Sequence, residues 1–192
     1  GKTALLRELA AGLKEDCSCI WGMCDPLLTP RPLGPVHDII AMMGGLGENW
    51  DRAGGTTLFS RLLAHLAEQS HPVVLILEDV HWADNGTLDF IRFLSRRITI
   101  CPVLLVISYR NDELGRNHPL LRVFGDIPGS QLDRIELQPL SLTAVARLAG
   151  ESGRDATSLL QITGGNPFFL TEILASPEVG KSVPVSVQDA VN

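Results

Sequence analysis

A parallel β-sheet flanked by helices, followed by a small helical annex, is the fold that this α/β sequence predicts. Three observations carry that reading. Residues 73–77 and 103–107 are unbroken apolar runs, Val-Val-Leu-Ile-Leu and Val-Leu-Leu-Val-Ile, the pattern of strands buried on both faces in a parallel sheet. Apolar stripes at helical spacing separate these runs, so crossover helices are available to cover the sheet. After Pro139 the strand patterns stop and only helical ones remain.

Each element follows from a local pattern. Leu5, Leu6, Leu9 and Leu13 make a helical stripe over about 3–13. Residues 17–23 read as a strand, with Cys17, Cys19, Trp21 and Met23 on one face and Cys24 on the other. Glycines and prolines crowd 22–55, so that stretch reads as long loops around one helix. Leu58, Phe59, Leu62, Leu63 and Leu66 form a second strong stripe, and the first buried strand follows over 72–77. Leu88, Ile91, Leu94 and Ile98 mark the next helix, with Asp84 as its N-cap, and the second buried strand spans 102–107. A short helix is expected over 118–124, and 131–137 alternates as a further strand. Ser141 then caps a helix carrying Leu142, Val145 and Leu148, and another spans 155–162 and stops at Gly164-Gly165. A third starts at Asn166-Pro167, and Ser186-x-x-Asp189 has the form of a capping box opening one more.

The chain has 192 residues, room for one domain with a small appendage. With 45% hydrophobic and 20% charged residues it is expected to pack a core rather than remain disordered. A net charge of −6 and a pI near 5.3 argue against a broad grip on a phosphate backbone, so no direct nucleic-acid partner is expected for this piece. No apolar run is long enough to span a bilayer. Residue 1 is Gly rather than Met, with no leader-like stretch after it, and the chain reads as an internal piece of a cytoplasmic protein. Four cysteines are too few for a disulfide scaffold. Cys17-x-Cys19-x4-Cys24 supplies three thiols, but strand alternation turns Cys24 away from the other two, so reduced thiols are expected rather than a metal site.

Four short segments carry chemistry. Gly1-Lys2-Thr3 opens a helix and matches the end of the phosphate-loop pattern G-x-x-x-x-G-K-[ST]. In that pattern backbone N–H groups and the helix N-terminus cradle phosphates, the lysine reaches the outer phosphates, and the hydroxyl joins the Mg²⁺ shell. Three residues before an ordinary helix read equally well with no ligand. Glu78 and Asp79 end the first buried strand as adjacent carboxylates, suited to holding a Mg²⁺ shell and orienting an attacking water. Acidic residues also simply end many parallel strands. Arg110 follows the second buried strand on the same sheet edge, where a cation can bond a γ-phosphate, or merely begin a solvated loop. Asn166-Pro167 is, in itself, ordinary helix initiation.

Together, Gly-Lys-Thr-Ala-Leu-Leu, Leu-Glu-Asp-Val-His-Trp-Ala-Asp, Ser-Tyr-Arg and Gly-Gly-Asn-Pro-Phe-Phe-Leu resemble the signal-transduction ATPases with numerous domains (STAND ATPases), an AAA-related P-loop class. The resemblance covers nearly the whole chain and is greatest to the module in large LuxR-type bacterial transcriptional regulators. By position it implies that Gly1, Lys2 and Thr3 finish Walker A, that Glu78 and Asp79 form Walker B, and that Arg110 is the sensor arginine. It implies that Pro167 belongs to a Gly-x-Pro element packing on adenine, and that 186–191 enter a winged-helix domain. Glu78 stands where the family more often has Asp, and most of the phosphate loop is not in the chain. Trp82 is expected to pack, with His81 at a loop surface.

The resemblance therefore implies a P-loop NTPase core over 1–138, a helical lid over 139–180 and the start of a winged-helix domain over 181–192. The implied function is a switch that binds ATP or ADP with Mg²⁺ and hydrolyses ATP slowly, with sensor and output domains further along the protein and homo-oligomerisation on activation. The same module in a nucleotide cyclase or protein kinase fusion, or a non-hydrolysing scaffold, are the alternatives.

Overall fold

The computed structural model describes residues 1–13, 16–29, 31–47 and 54–176. The helix start expected at Ser186 lies outside them. The described chain divides into two compact units, Thr3–Arg134 and the residues from Ile135 on, the second grouped with Gly1–Lys2.

The first unit is a three-stranded parallel sheet with helices on both faces. Its elements are α1 (Lys2–Gly12), β1 (Ser18–Met23), α2 (Gly34–Met42), α3 (Gly55–Ala67), β2 (Val73–Glu78), α4 (Asn85–Ser95), β3 (Val103–Ile107) and α5 (Pro119–Gly125). The strand order is β1-β2-β3, with Ile20 opposite Leu75 and Leu75 opposite Leu105. Every residue of β2 is buried, and the two-sided covering explains why its sequence does not alternate. Val73, Leu75 and Leu77 pack into the large core with Val36, Ile39, Leu62, Leu66, Ile91 and Leu94 from the helices. Val74 and Ile76 face the other way, onto Leu6 and Ala10 of α1. Each such fully buried aliphatic side chain contributes about 1.5–3 kcal/mol.

β1 bears out the expected alternation, beginning one residue later than anticipated. Cys17, Cys19 and Trp21 pack against the α1 cluster, while Ile20 and Cys24 enter the large core. Gly22 is required by contact: a Cβ there would lie 2.6 Å from the carbonyl oxygen of Pro35. Asp84 caps α4 as expected, accepting from the Gly86 N–H at 2.9 Å and the Thr87 N–H at 3.3 Å. It also accepts the Leu33 N–H at 3.2 Å, satisfying the amide that precedes α2.

The helix expected over about 3–13 forms as α1, with one flank of its stripe covered: Leu6 is buried, whereas Leu5 and Leu9 are 53% and 39% exposed. Two expectations need correction. β3 is not buried on both faces. It is an edge strand among the described residues, and Leu104 is 56% exposed. Residues 131–137 are not a strand; Gly129–Gln131 form a short 3-10 turn and the chain beyond it is irregular. Alternation supplies a face, but a strand also needs a ladder partner for its N–H and C=O groups, and this segment pairs with no strand among the described residues.

The second unit packs α6 (Leu142–Ala149), α7 (Ala156–Thr163) and α8 (Pro167–Ala175) around Val145, Ala149, Leu159, Leu170 and Ile173. Both expected caps form, Ser141 and Asn166 each accepting a first-turn backbone N–H, and Asp155, read as the first residue of its helix, instead caps α7 in the same way. The close of α8 is satisfied by Arg154, whose guanidinium donates to the carbonyls of Ile173 and Ser176. Gly165 has φ +75° and sits against Leu140, where a Cβ would be 2.6 Å from a carbonyl oxygen. No helix among the described residues is long and apolar enough to cross a membrane.

Candidate functional site

Parallel register brings the carboxyl ends of all three strands to one edge: Met23 lies beside Glu78, and Leu77 beside Ile107. Open α/β sheets bind ligands outside this edge. Glu78, the last residue of β2, is only 2% exposed. A carboxylate so far from water needs a partner, and Thr3 supplies one. Its hydroxyl, in the first turn of α1, donates to Glu78 Oε2 at 2.5 Å. Residues 75 positions apart in the chain are thus joined through the packing of α1 on β2.

Asp79 leaves the strand rather than continuing it. Its backbone is left-handed, at φ 54° and ψ 43°, a conformation uncommon outside glycine though better tolerated by Asp than by bulkier residues. The buried Ser108, just past β3, holds this corner. Its Oγ accepts the Asp79 N–H at 3.1 Å, its carbonyl accepts the Val80 N–H at 2.9 Å, and its own N–H donates to the Leu77 carbonyl at 2.9 Å. The two carboxylates therefore do not alternate as neighbours on one strand; the turn sets their divergence. Strained backbone held by its surroundings concentrates at functional sites.

Arg110 follows two residues after Ser108, with its side chain 51% exposed and Nη1 3.2 Å from Glu113 Oε1. Its backbone N–H donates to His81 Nδ1 at 3.4 Å. His81 is 6% exposed, which overturns its expected place at a loop surface. Trp82 packs at the margin of the core as expected, and its indole also donates to Glu113 Oε2 at 3.1 Å. Cys24, beyond the end of β1, has its thiol pushed up to about 12 by burial and then by the carboxylates of Asp84, Asp79, Asp25 and Asp38. The adjoining cavity, lined by Asp25, Asp38 and Asp84 among others, is acidic and a poor seat for a bare phosphate.

Within the first unit the structure brings Thr3, Glu78, Asp79 and Arg110 to the same sheet edge. Gly1, Lys2 and Pro167 fall in the second unit, Pro167 as the first residue of α8. Residues 1–107 match the family model for the AAA ATPase domain. The chain belongs to the AAA ATPase domain family. It is accordingly an ATPase-type nucleotide-binding module, and its parallel sheet flanked by helices is the corresponding α/β architecture. The match takes in Lys2, Thr3, Glu78 and Asp79 and ends before Arg110 and Pro167. No curated protein matches the chain.

The donor set suits the cation that nucleotides carry. Mg²⁺ prefers oxygen and is bound through one or two carboxylates, waters and the substrate's phosphates rather than by an all-protein cage. The Thr3 hydroxyl and the Glu78 carboxylate offer hard oxygen donors side by side. Besides misplacing His81, sequence reasoning passed over two features that shape this edge: Ser108 as the lock on Asp79, and Glu113. A small hydroxyl residue directly after a buried strand was a usable signal for Ser108; nothing local marks Glu113.

Proposed function

We propose that this AAA ATPase domain binds ATP with Mg²⁺ and hydrolyses it slowly, as the switch of a multidomain bacterial signalling protein. The setting follows the resemblance to STAND modules of LuxR-type transcriptional regulators, with the output domain beyond this chain. The observation that carries the reading is the Thr3–Glu78 contact, which joins the end of the phosphate-loop motif to the buried strand-end carboxylate.

In this reading Gly1 and Lys2 contact phosphates, Thr3 and Glu78 hold the Mg²⁺ shell, and Asp79 orients the attacking water from its fixed turn. Arg110 reads the γ-phosphate and Pro167 packs on the adenine. Asp79 has a shorter arm than Glu, which suits slow turnover. ATP and ADP then bias the protein through contacts that only one of them makes. Single-turnover hydrolysis of ATP by the full protein tests the reading. Slow, Mg²⁺-dependent phosphate release is expected; tight binding with no release would favour a non-hydrolysing scaffold.

A further inference from the structure

Residues 108–118 join β3 to α5 and carry no regular secondary structure, yet they are fastened back to the turn after β2 at several points. His81 Nδ1 accepts the Arg110 N–H at 3.4 Å, so the ring proton is assigned to Nε2. That nitrogen lies 3.2 Å from Glu113 Oε2, the same oxygen that accepts the Trp82 indole N–H at 3.1 Å. The His81 carbonyl is 3.0 Å from His118 Nε2, and His118 Nδ1 accepts the Leu120 N–H and so caps α5. One oxygen of Glu113 thus accepts the Trp82 indole N–H and lies beside His81 Nε2. The other, Oε1, points to Arg110 Nη1 at 3.2 Å.

An exposed ion pair three residues apart ordinarily contributes little, because both side chains must be ordered to make it. Here the carboxylate is already tied to the Trp82 indole, with the His81 ring beside it, before it meets the arginine. We propose that Glu113 is a positioning residue that holds Arg110 ready for the terminal phosphate of ATP, an inference that rests on the nucleotide-site reading above. The guanidinium is a planar fork of five N–H donors. Contact through Nη1 leaves further donors on its remaining edges, and the side chain is half-exposed and accessible to a ligand at the sheet edge. Holding one edge on an anchored carboxylate reduces the entropy lost when the other edge takes a phosphate oxygen. ADP has no such phosphate, so the benefit falls on ATP alone.

Glu113→Gln tests this, since the amide keeps the shape but offers one acceptor oxygen where two carboxylate oxygens meet the Trp82 indole and the Arg110 guanidinium. Calorimetric titration with Mg-ATP and Mg-ADP is expected to show the ATP-over-ADP preference falling about three- to tenfold with ADP affinity unchanged, and Glu113→Asp falling between the two. In an Arg110→Ala background the Glu113→Gln change should have no further effect. A preference that rises would mean that Glu113 competes with the phosphate for Arg110; an unchanged or additive one would mean a merely structural role. Either overturns the proposal. If Arg110→Ala narrows the preference and Glu113→Gln does not, only this inference falls; if Arg110→Ala leaves it intact, the γ-phosphate reading of Arg110 falls with it. Without nucleotide, the indole N–H resonance of Trp82, assigned through Trp82→Phe, should shift in Glu113→Gln. An unmoved resonance would show that Glu113 is not held there and would overturn the proposal independently of nucleotide binding.

Discussion

At the scale of single residues, the proposed function gives the strand-end carboxylates two roles. Asp79, held in a left-handed turn by Ser108, is proposed to orient water, and a general base of this kind contributes about 10²–10⁴-fold. Asp79→Asn should therefore cut single-turnover hydrolysis by that order while Mg-ATP still binds; hydrolysis at the parent rate would remove Asp79 from the mechanism. Cys24 makes a separate, alkaline prediction. Its thiol ordinarily ionises near 9 but in the fold only near 12. Between these values the unfolded chain has lost a proton that the folded chain keeps, so stability falls as pH rises through this window. Cys19 and Cys101 are raised as well and add to the slope. Urea midpoints at pH 8 and 10.5 should separate clearly in the parent and less in Cys24→Ser; equal separation would show that Cys24 does not contribute. The strand-end place of Glu78 and Asp79 and the helix-start place of Thr3 were legible because their motifs are local strings. The burial of His81 and the gathering role of Glu113 were not, since Glu113 meets Trp82 across 31 positions and sits in a loop without periodicity.

At the scale of elements, side-chain caps and close backbone approaches decide where helices meet strands. Asp84 serves both α4 and the amide before α2, so Asp84→Ala should cost about 1–2 kcal/mol through the lost cap, with the Leu33 amide left wanting in addition. Denaturant unfolding measures it, and a loss near zero would mean that water replaces Asp84 at both helices. Gly22 and Gly12 form a contrasting pair. Ala at Gly22 meets the Pro35 carbonyl and should destabilise by about 1–3 kcal/mol, whereas a Cβ at Gly12 has nothing within 4 Å and should be neutral or stabilising. Similar thermal shifts for the two would contradict the close packing of β1 on α2. Most helices were readable from their stripes and caps, as Leu58, Leu62 and Leu66 in α3 show. The segment 131–137 was misread because its alternation said nothing about a pairing partner. β3 was misread for a related reason: a continuous apolar run does not reveal whether its strand lies at the centre of a sheet or at its edge.

At the scale of the whole molecule, the chain is acidic and its sheet edge more so, with Glu78, Asp79, Asp25 and Asp84 close to the ends of β1 and β2. A polyanionic nucleotide approaching these carboxylates is repelled unless a cation intervenes. Membership of the AAA ATPase domain family gives the nucleotide; the Thr3–Glu78 contact gives the place where its cation is expected. The proposed role of this pair is to make nucleotide binding depend on Mg²⁺. ATP is titrated calorimetrically into the parent protein and into Glu78→Gln, each with Mg²⁺ and with a chelator. The parent is expected to lose at least about tenfold in ATP affinity without Mg²⁺, the order of one or two charge-assisted contacts, and Glu78→Gln to bind weakly with or without the ion. Equal Mg²⁺ dependence in both proteins would contradict it.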